Sequence, residues 1–459
     1  MKTKIYTLLG SIVIGGLSLI PTSLKAQNGD IQFYRPNSKD GVNIFETSKK
    51  DTVPFKGLKV KVGGGFEIDY QMLRDQNTAI PVTKTVGTAT GNVNNLISLI
   101  DGVDLPMANL SFDVQLADGI RLNLTSYLAA RHHEETWVKG GYLQIDKLPF
   151  LHSQLADNIM KSVTVVVGQY DVDYGDQHFR RSDGGNTIYN PFVENYVMDE
   201  FATEMGIHVY YKCAKTGLFA MGGITNGELD ETVLQSTKTD AETGLLNDYQ
   251  PAFLGKLGFD KQLTPDFRLR ISGSFYTEKS ANSITMFGGD RTGSHYFGVM
   301  SNPTTAAGSV LSNANDYNAF SGRFNPGFSE ELHTYMGNVF LKYKGLEFFG
   351  TAENAVGRSI SETSLRGAAQ YAADLIYRFP AKTENFYVGY RYDTVTATIL
   401  GNSQSVTVDR SVGALGWFIT KNIMMKGEYV TQSYNNYDPT NILNGGKFNG
   451  FMVEAAIGF

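Results

Sequence analysis

Apolar and polar side chains alternate with a period of two residues along most of the chain. Between Leu58 and Tyr70, apolar residues alternate with Lys59, Lys61 and other polar residues, and the same alternation returns in the last stretch, Asn449–Phe459. Successive side chains of an extended strand point to opposite sides, so this pattern gives strands with one apolar and one polar face. A chain with this pattern has to fold as a sheet whose two faces meet different surroundings.

The pattern predicts sixteen strands joined alternately by short and long connections. The short connections include Asp118-Gly119, which has the preferred chemistry of a tight hairpin. A further hairpin around Ser294–Met300 would raise the count to eighteen. The predicted strands cover about 57–72, 106–117, 119–131, 135–146, 161–172, 201–213, 216–226, 251–261, 265–278, 331–343, 345–355, 364–379, 384–395, 405–419, 421–433 and 447–459.

The fold class predicted from this pattern is all-β, a transmembrane antiparallel up-and-down β-barrel. After residue 26, no apolar run has the length of a membrane-spanning helix, and the mean hydropathy of the chain is −0.20. A closed barrel is the other structure that satisfies every backbone group within lipid, and its alternating strands keep the mean hydropathy low. We therefore expect short periplasmic turns, long extracellular loops and a location in the cell outer membrane.

The amino-terminal region predicts export. Two lysines precede an apolar run that ends before Gln27, which is typical of a secretory signal peptide over residues 1–26; a membrane anchor is the alternative. Residues 27–56 are expected to form a periplasmic extension and 57–459 the barrel. Removing the three lysines of the signal takes the formal net charge from −6 to −9, which disfavours nucleic acid as a partner. The single cysteine, Cys213, excludes an internal disulfide.

The charged residues of the strands fall on the polar parity and are expected to face a water-filled lumen. A charge facing lipid at the bilayer centre would cost about 2–4 kcal/mol. Two interpretations remain open: the charges brace the pore wall through ion pairs, or a surplus of basic groups gives a mild preference for anions. The arginines predicted to line the lumen are Arg121, Arg131, Arg268, Arg270, Arg366, Arg378 and Arg391.

Several motifs resemble those of known outer-membrane porins. The segment Val163–Gly175, preceded by Gly141–Asp146, is similar to a hairpin of the phosphate-selective porin O/P family, and the lead-in from Arg35 resembles porin-like proteins of the Bacteroidota. The terminal Phe459 resembles the assembly signal of outer-membrane barrels. The resemblance implies a channel of sixteen strands that prefers anions. It also implies outer-membrane lipid and the barrel assembly machinery as partners.

Residues 173–200 form the long connection with the most distinctive composition. It contains Arg180, Arg181 and Asp183, followed by a Gly-Gly-Asn turn and several aromatic residues. Its position and its resemblance to porin loops predict a segment that folds into the pore as a constriction, where arginines opposite acids select small polar solutes. An outward lid, or a surface for a partner, is the alternative.

The sequence favours passive diffusion of small hydrophilic solutes through a monomer or homotrimer. Such a channel is not an enzyme and needs no cofactor and no catalytic or metal-binding residue. An adhesin, or the membrane component of an envelope complex, is a second hypothesis, and a barrel hydrolase using His152-Ser153 is a third. The adjacent His132 and His133 are interpreted as part of a solvated turn rather than as metal ligands.

Overall fold

Sixteen antiparallel strands form one sheet that closes on itself in the computed structural model of the protein. The structure describes residues 31–51, 53–86, 89–92, 94–128, 137–290, 292–302 and 322–459. The strands are β1 (Lys59–Gln76), β2 (Thr83–Val86), β3 (Ala89–Asn92), β4 (Gly102–Ala117), β5 (Ile120–Tyr127), β6 (Trp137–Ile145), β7 (Val163–Asp171), β8 (Thr203–Lys212), β9 (Leu218–Thr225), β10 (Ala252–Thr264), β11 (Phe267–Glu278), β12 (Glu331–Tyr343), β13 (Leu346–Arg358), β14 (Arg366–Phe379), β15 (Phe386–Ala397), β16 (Val406–Phe418), β17 (Ile423–Asn435) and β18 (Lys447–Gly458).

The strand count predicted from the sequence is confirmed. Strands β1 and β4–β18 make up the barrel, and each corresponds to one predicted strand. The alternative count of eighteen is wrong, because Ser294–Met300 contains no strand. The two additional strands, β2 and β3, pair only with each other and form a hairpin within a long connection.

The barrel closes where β1 pairs with β18, and we call this junction the seam. Asp69 lies directly opposite Glu454 in the register of the seam. The chain end continues the pairing, because the amide of Phe459 donates to the carbonyl of Gly64 at 3.1 Å and the amide of Gly64 donates to the carbonyl of Phe459 at 3.1 Å. No barrel strand is therefore left with an unpaired edge, which is the condition for crossing lipid.

The outer face of the barrel is apolar and carries aromatic rings near its periplasmic end. Four side chains from β14, β15 and β16 stack in sequence, with ring centroids 5.7–6.0 Å apart. These rings belong to Tyr377, Phe379, Phe386 and Trp417. An apolar band bordered by aromatic residues is the exterior of a transmembrane barrel, and bacterial barrels of this kind lie in the outer membrane. The protein is an outer-membrane barrel.

Within the part of the chain that the structure describes, helices are few and short. The α-helix Gln154–Met160 lies in the connection between β6 and β7, and Ser153 caps it by accepting a hydrogen bond from the amide of Ala156 at 3.4 Å. Within the described residues, no helix has the length and hydropathy of a membrane span. The 3-10 turns cover Lys39–Gly41, Pro149–Leu151, Gln177–Phe179, Asp183–Gly185 and Thr187–Tyr189.

The hydrophobic core lies inside the barrel, because two long connections fold inward. The first inner loop (residues 172–202) joins β7 to β8, and the described part of the connection between β11 and β12 contributes the second inner loop (residues 279–302). Phe192 and Val197 of the first loop and Tyr296 of the second are at most 1% exposed. The second inner loop belongs to a long connection on the extracellular side of the strand pattern, and its described residues 279–290 and 292–302 fold back into the barrel. Its apolar side chains reach a dry environment only by packing against the first loop and the inner wall.

Candidate functional site: the barrel lumen

The first inner loop crosses the lumen and is held by side chains around the wall. The amide of Gly175 donates to Ser274 Oγ of β11 at 3.0 Å, and the Tyr196 hydroxyl donates to Asp374 Oδ2 of β14 at 2.8 Å. Thr187 Oγ1 donates to Glu454 Oε1 of β18 at 2.9 Å. Contacts with strands that lie so far apart around the barrel place the loop across its interior.

Acidic and amide side chains of the wall also satisfy the backbone of this loop. The amide of Val193 donates to Glu428 Oε2 at 2.8 Å, and the amide of Met198 donates to Gln370 Oε1 at 2.7 Å. A buried amide without a partner costs about 1–3 kcal/mol, so a loop without regular structure needs such acceptors to remain inside a barrel. Wall residues that were expected to meet water therefore serve as supports for the loop.

The structure places Arg180 and Arg181 within the first inner loop, where both are at most 2% exposed. Arg180 donates to Asn43 Oδ1 at 2.9 Å, and its guanidinium lies 4.9 Å from the ring centroid of Phe349. Arg181 donates to the backbone carbonyl of Glu200. Asp183 begins the 3-10 turn Asp183–Gly185. Both arginine side chains are therefore buried, and their guanidinium groups contact other residues of the protein.

Most of the predicted wall arginines form ion pairs with neighbouring acids. Arg391 lies 2.7 Å from Asp374, and Arg378 lies 2.9 Å from Glu347. Arg131 lies outside the described residues. The remaining pairs are Arg121 with Asp113, Arg268 with Asp260 at 2.7 Å, Arg270 with Glu46 and Asp176, each at 2.7 Å, and Arg366 with Glu362 at 2.6 Å. The basic groups on this wall are therefore largely balanced by acids, as the bracing interpretation expects.

Asp176 is the point at which the first inner loop joins this ion-pair network. Its carboxylate accepts from Arg270 Nε and from Ser272 Oγ, and its amide donates to Asn338 Oδ1 at 2.8 Å. Burial opposes its ionisation, but the Arg270 guanidinium outweighs burial and lowers the pKa of Asp176 to about 2. Asp176 is therefore a carboxylate at neutral pH and ties the loop to β11 and β12.

A polar cavity of about 320 Å³ remains between the first inner loop, the amino-terminal segment (residues 34–47) and the wall formed by β1 and β4–β8. Tyr142, Tyr170 and His208 line its strand side, and Arg35 lines its amino-terminal side. Arg35 lies 3.6 Å from the ring centroid of Tyr189 and donates to the carbonyls of Gly41 and Phe179, each at 3.1 Å. Among the described residues, Arg35 forms no ion pair, so its positive charge is not balanced by an adjacent acid.

The sequence analysis missed several residues of the lumen. Arg410 is 1% exposed and donates to the carbonyl of Asn195 at 2.7 Å, which fixes the first inner loop to β16. Arg410 shares its strand face with Val406, Val408 and Val412, so the alternation along β16 gave no signal for it. His295 of the second inner loop is buried against Asp69 and Glu454. No local pattern pointed to His295, because it lies in a long connection.

Solved structures with a similar fold are outer-membrane proteins. No protein-family model and no curated protein matches the sequence. The outer membrane channel DcaP of Acinetobacter baumannii is 13% identical over 88% of this chain and 99% of that chain, with a TM-score of 0.50. The fold is that of an outer-membrane porin. The anion-selective porin from Comamonas acidovorans is 10% identical over 88% and 100% of the two chains, with a TM-score of 0.47. A loop-deletion mutant of OmpT from Vibrio cholerae is 10% identical over the same shares, with a TM-score of 0.48.

Proposed function

We propose that the protein is an outer-membrane channel for the passive diffusion of small hydrophilic solutes. The observation that carries the proposal is the polar cavity beside the first inner loop, within a barrel wide enough to hold water. Its size and its polar lining suit small hydrophilic molecules, and diffusion through it needs no catalytic residue. The motifs that resemble the phosphate-selective porin O/P family and those that resemble porin-like proteins of the Bacteroidota support the same proposal, as does the signal peptide that the sequence predicts over residues 1–26.

Conductance across a planar bilayer tests this function. We expect the purified protein to give steady current steps in potassium chloride at low voltage.

A second candidate is a barrel that presents its outer loops to a partner, as an adhesin or as the membrane component of an envelope complex. A preparation that migrates as a folded barrel but gives no steady current would favour this second candidate and contradict the channel.

Two observations favour the second candidate. The inner loops occupy much of the lumen, and the connection 227–250 exposes apolar side chains to the outside. Val233, Leu234 and Leu245 are 85%, 77% and 69% exposed. Apolar groups at an outer surface suit contact with another macromolecule.

We further propose a mild preference of the channel for anions, which rests on Arg35. Coulomb's law gives about 0.7 kcal/mol for two unit charges about 6 Å apart in water, favourable for an anion and unfavourable for a cation, so removing the charge changes the anion-to-cation ratio by about 1.4 kcal/mol, or roughly tenfold. In Arg35→Gln, the anion-to-cation permeability ratio should therefore fall by up to roughly tenfold, as measured by the reversal potential in a salt gradient. Lys421→Gln is the matched control, because Lys421 is 70% exposed and lies in the turn between β16 and β17. Equal reversal potentials for wild type and Arg35→Gln would contradict the preference.

A homotrimer is the assembly that we propose for the channel. Small residues lie side by side on the outer wall, where Gly273 of β11 pairs with Gly337 of β12 and Gly337 pairs with Ala352 of β13. They line an external groove that is bordered by Phe275 and Tyr335. Light scattering of the purified protein with Gly337→Trp tests this assembly, because a large side chain on the contact face should shift the mass toward that of the monomer.

A further inference from the structure

Four titratable side chains meet inside the barrel at its seam, and we call them the seam cluster (Glu67, Asp69, Glu454 and His295). Glu67 and Asp69 are two residues apart on β1, so both point into the barrel, and Glu454 of β18 is the register partner of Asp69. His295 comes from the second inner loop. Each of the four is at most 1% exposed.

His295 is hydrogen-bonded to Asp69 through one ring nitrogen and lies near two carboxylates through the other. His295 Nδ1 lies 2.6 Å from Asp69 Oδ2, and His295 Nε2 lies 3.7 Å from Glu67 Oε2 and 3.8 Å from Glu454 Oε2. One nitrogen or oxygen atom from each of Asp69, His295 and Glu454 lies within 4.8 Å of the others. Two ligand atoms bound to one ion at about 2.0–2.2 Å lie about 3.0–3.6 Å apart. The two distances from His295 Nε2 are close to this spacing, whereas the 2.6 Å contact between His295 Nδ1 and Asp69 Oδ2 is a hydrogen bond.

Several of these buried atoms have no hydrogen-bond partner. Both carboxylate oxygens of Glu67, Oδ1 of Asp69, Oε2 of Glu454 and Nε2 of His295 lack one. Lys426 lies 2.7 Å from Glu454 Oε1 and balances one of the three acids. An imidazolium at His295 would satisfy Asp69 but would leave the oxygens of Glu67 without a donor. Buried carboxylates are stable when they are paired, protonated or bound to a metal ion, and a bound cation would satisfy these oxygens together.

We propose that the seam cluster binds one divalent transition-metal ion, with Zn²⁺ or Mn²⁺ as the fitting class. Asp69, Glu454 and His295 supply ligands, and Glu67 completes the shell. A mixed nitrogen and oxygen donor set suits these ions, whereas Ca²⁺ and Mg²⁺ prefer oxygen donors alone. With Lys426 counted, a neutral His295 and three carboxylates leave two negative charges, which one divalent ion neutralises.

The bound ion would fasten the second inner loop to the seam. His295 is separated from Asp69 by 226 residues along the chain, and Glu454 lies on the last strand. A metal site of this kind joins the first strand, the last strand and an inner loop at one point. Loss of the ion should therefore loosen the second inner loop, whereas the backbone hydrogen bonds between strands should keep the barrel closed.

The test measures metal binding by the folded full-length mature chain in detergent. Protein stripped with a chelator is titrated with Zn²⁺ by calorimetry, and its metal content is measured by mass spectrometry after gel filtration. We expect one Zn²⁺ per chain, with at least a tenfold weaker affinity in His295→Gln and in Glu454→Gln. A double variant, His132→Ala with His133→Ala, is the matched control, because it removes two histidines outside the seam cluster. This control should bind Zn²⁺ as the wild type does.

The proposal would be overturned if folded wild-type protein binds no Zn²⁺. It would also be overturned if His295→Gln binds Zn²⁺ with the affinity of the wild type. Loss of binding in the control variant would assign the ion to another site and would also overturn it. If the seam variants do not migrate as folded barrels, X-ray absorption of the wild-type zinc complex decides the question. One imidazole nitrogen with carboxylate oxygens supports the site, whereas sulfur from Cys213 or several imidazoles contradicts it. Preferential binding of Ca²⁺ over Zn²⁺ and Mn²⁺ would overturn the assigned class of ion.

Discussion

At the scale of single residues, most of the arginines predicted for the barrel wall are ion-paired with acids. Arg391 lies beside Asp374 and stacks between Phe192 and Tyr196, at 4.2 Å and 3.9 Å from their ring centroids. Removing one partner of such a buried pair leaves the other charge uncompensated. The Arg391→Met variant should therefore lower the free energy of unfolding by about 3–5 kcal/mol, measured by denaturant titration of the barrel in detergent.

Two controls separate the charge effect from the loss of side-chain packing. Adding Asp374→Leu to Arg391→Met should recover part of the lost stability, because no unpaired charge then remains. Lys147→Met breaks an exposed pair with Asp118 and should cost no more than about 1 kcal/mol. An effect of Arg391→Met no larger than that of Lys147→Met would contradict the prediction.

Ionisation of Asp176 makes the free energy of unfolding depend on pH through the first inner loop. Its folded pKa of about 2 lies below the usual value for Asp. Its stabilising contribution is therefore fully present above pH about 4 and is lost as the pH falls through about 2; it amounts to about 2–3 kcal/mol. In wild type, the free energy of unfolding should fall over this interval. In Asp176→Asn, this part of the decrease should be absent, so the two stabilities should converge at low pH. A constant difference between them would contradict the assignment.

At the scale of elements, the first inner loop limits the width of the lumen. Val172 and Ala202 are adjacent, since the amide of Val172 donates to the carbonyl of Ala202 at 2.9 Å. A three-residue glycine-rich turn can therefore replace residues 173–201 without moving β7 or β8. The single-channel conductance should then rise severalfold, because a barrel of sixteen strands without inner segments encloses a wide aqueous channel.

The hairpin formed by β2 and β3 supplies the matched control for this deletion. It pairs only with itself and lies in an outer connection. Replacing residues 83–92 with the same short turn should leave the conductance unchanged. If both deletions change the conductance equally, the first inner loop does not set the width of the lumen.

At the scale of the whole molecule, Phe459 extends the seam that closes the barrel by one residue pair. Phe459 pairs through its backbone with Gly64, and its side chain is 48% exposed. Deleting Phe459 should reduce the folded fraction in the outer membrane severalfold, because it removes the final seam hydrogen bonds and the expected assembly signal. Cell fractionation with heat-modifiable gel migration measures this fraction. Phe451→Ala is the control, since Phe451 is 55% exposed on the same strand. Equal loss in both variants would contradict a special role for the terminus.

The sequence alone determined the barrel wall. Side-chain direction along a strand is a local property with a period of two, so the alternation of Val60 and Val62 with Lys59 and Lys61 fixed which face meets lipid. The same two-residue period predicted the number of strands. It also predicted that Arg270 and the other charged wall residues point into the barrel. Short turns such as Asp118-Gly119 required only neighbouring residues to form.

The sequence predicted that residues 173–200 fold into the pore, but only the tertiary structure decided which contacts fill the barrel. The path of a long loop depends on contacts with strands that are remote in sequence, and no local period encodes those contacts. Val193 is hydrogen-bonded to Glu428, which lies 235 residues away along the chain. His295 is hydrogen-bonded to Asp69, which lies 226 residues away. These long-range contacts balance the arginines, fold two connections inward and gather the seam cluster. The sequence therefore specified the wall, whereas three-dimensional closure specified the lumen, because only closure brings the opposite sides of the wall within reach of one loop.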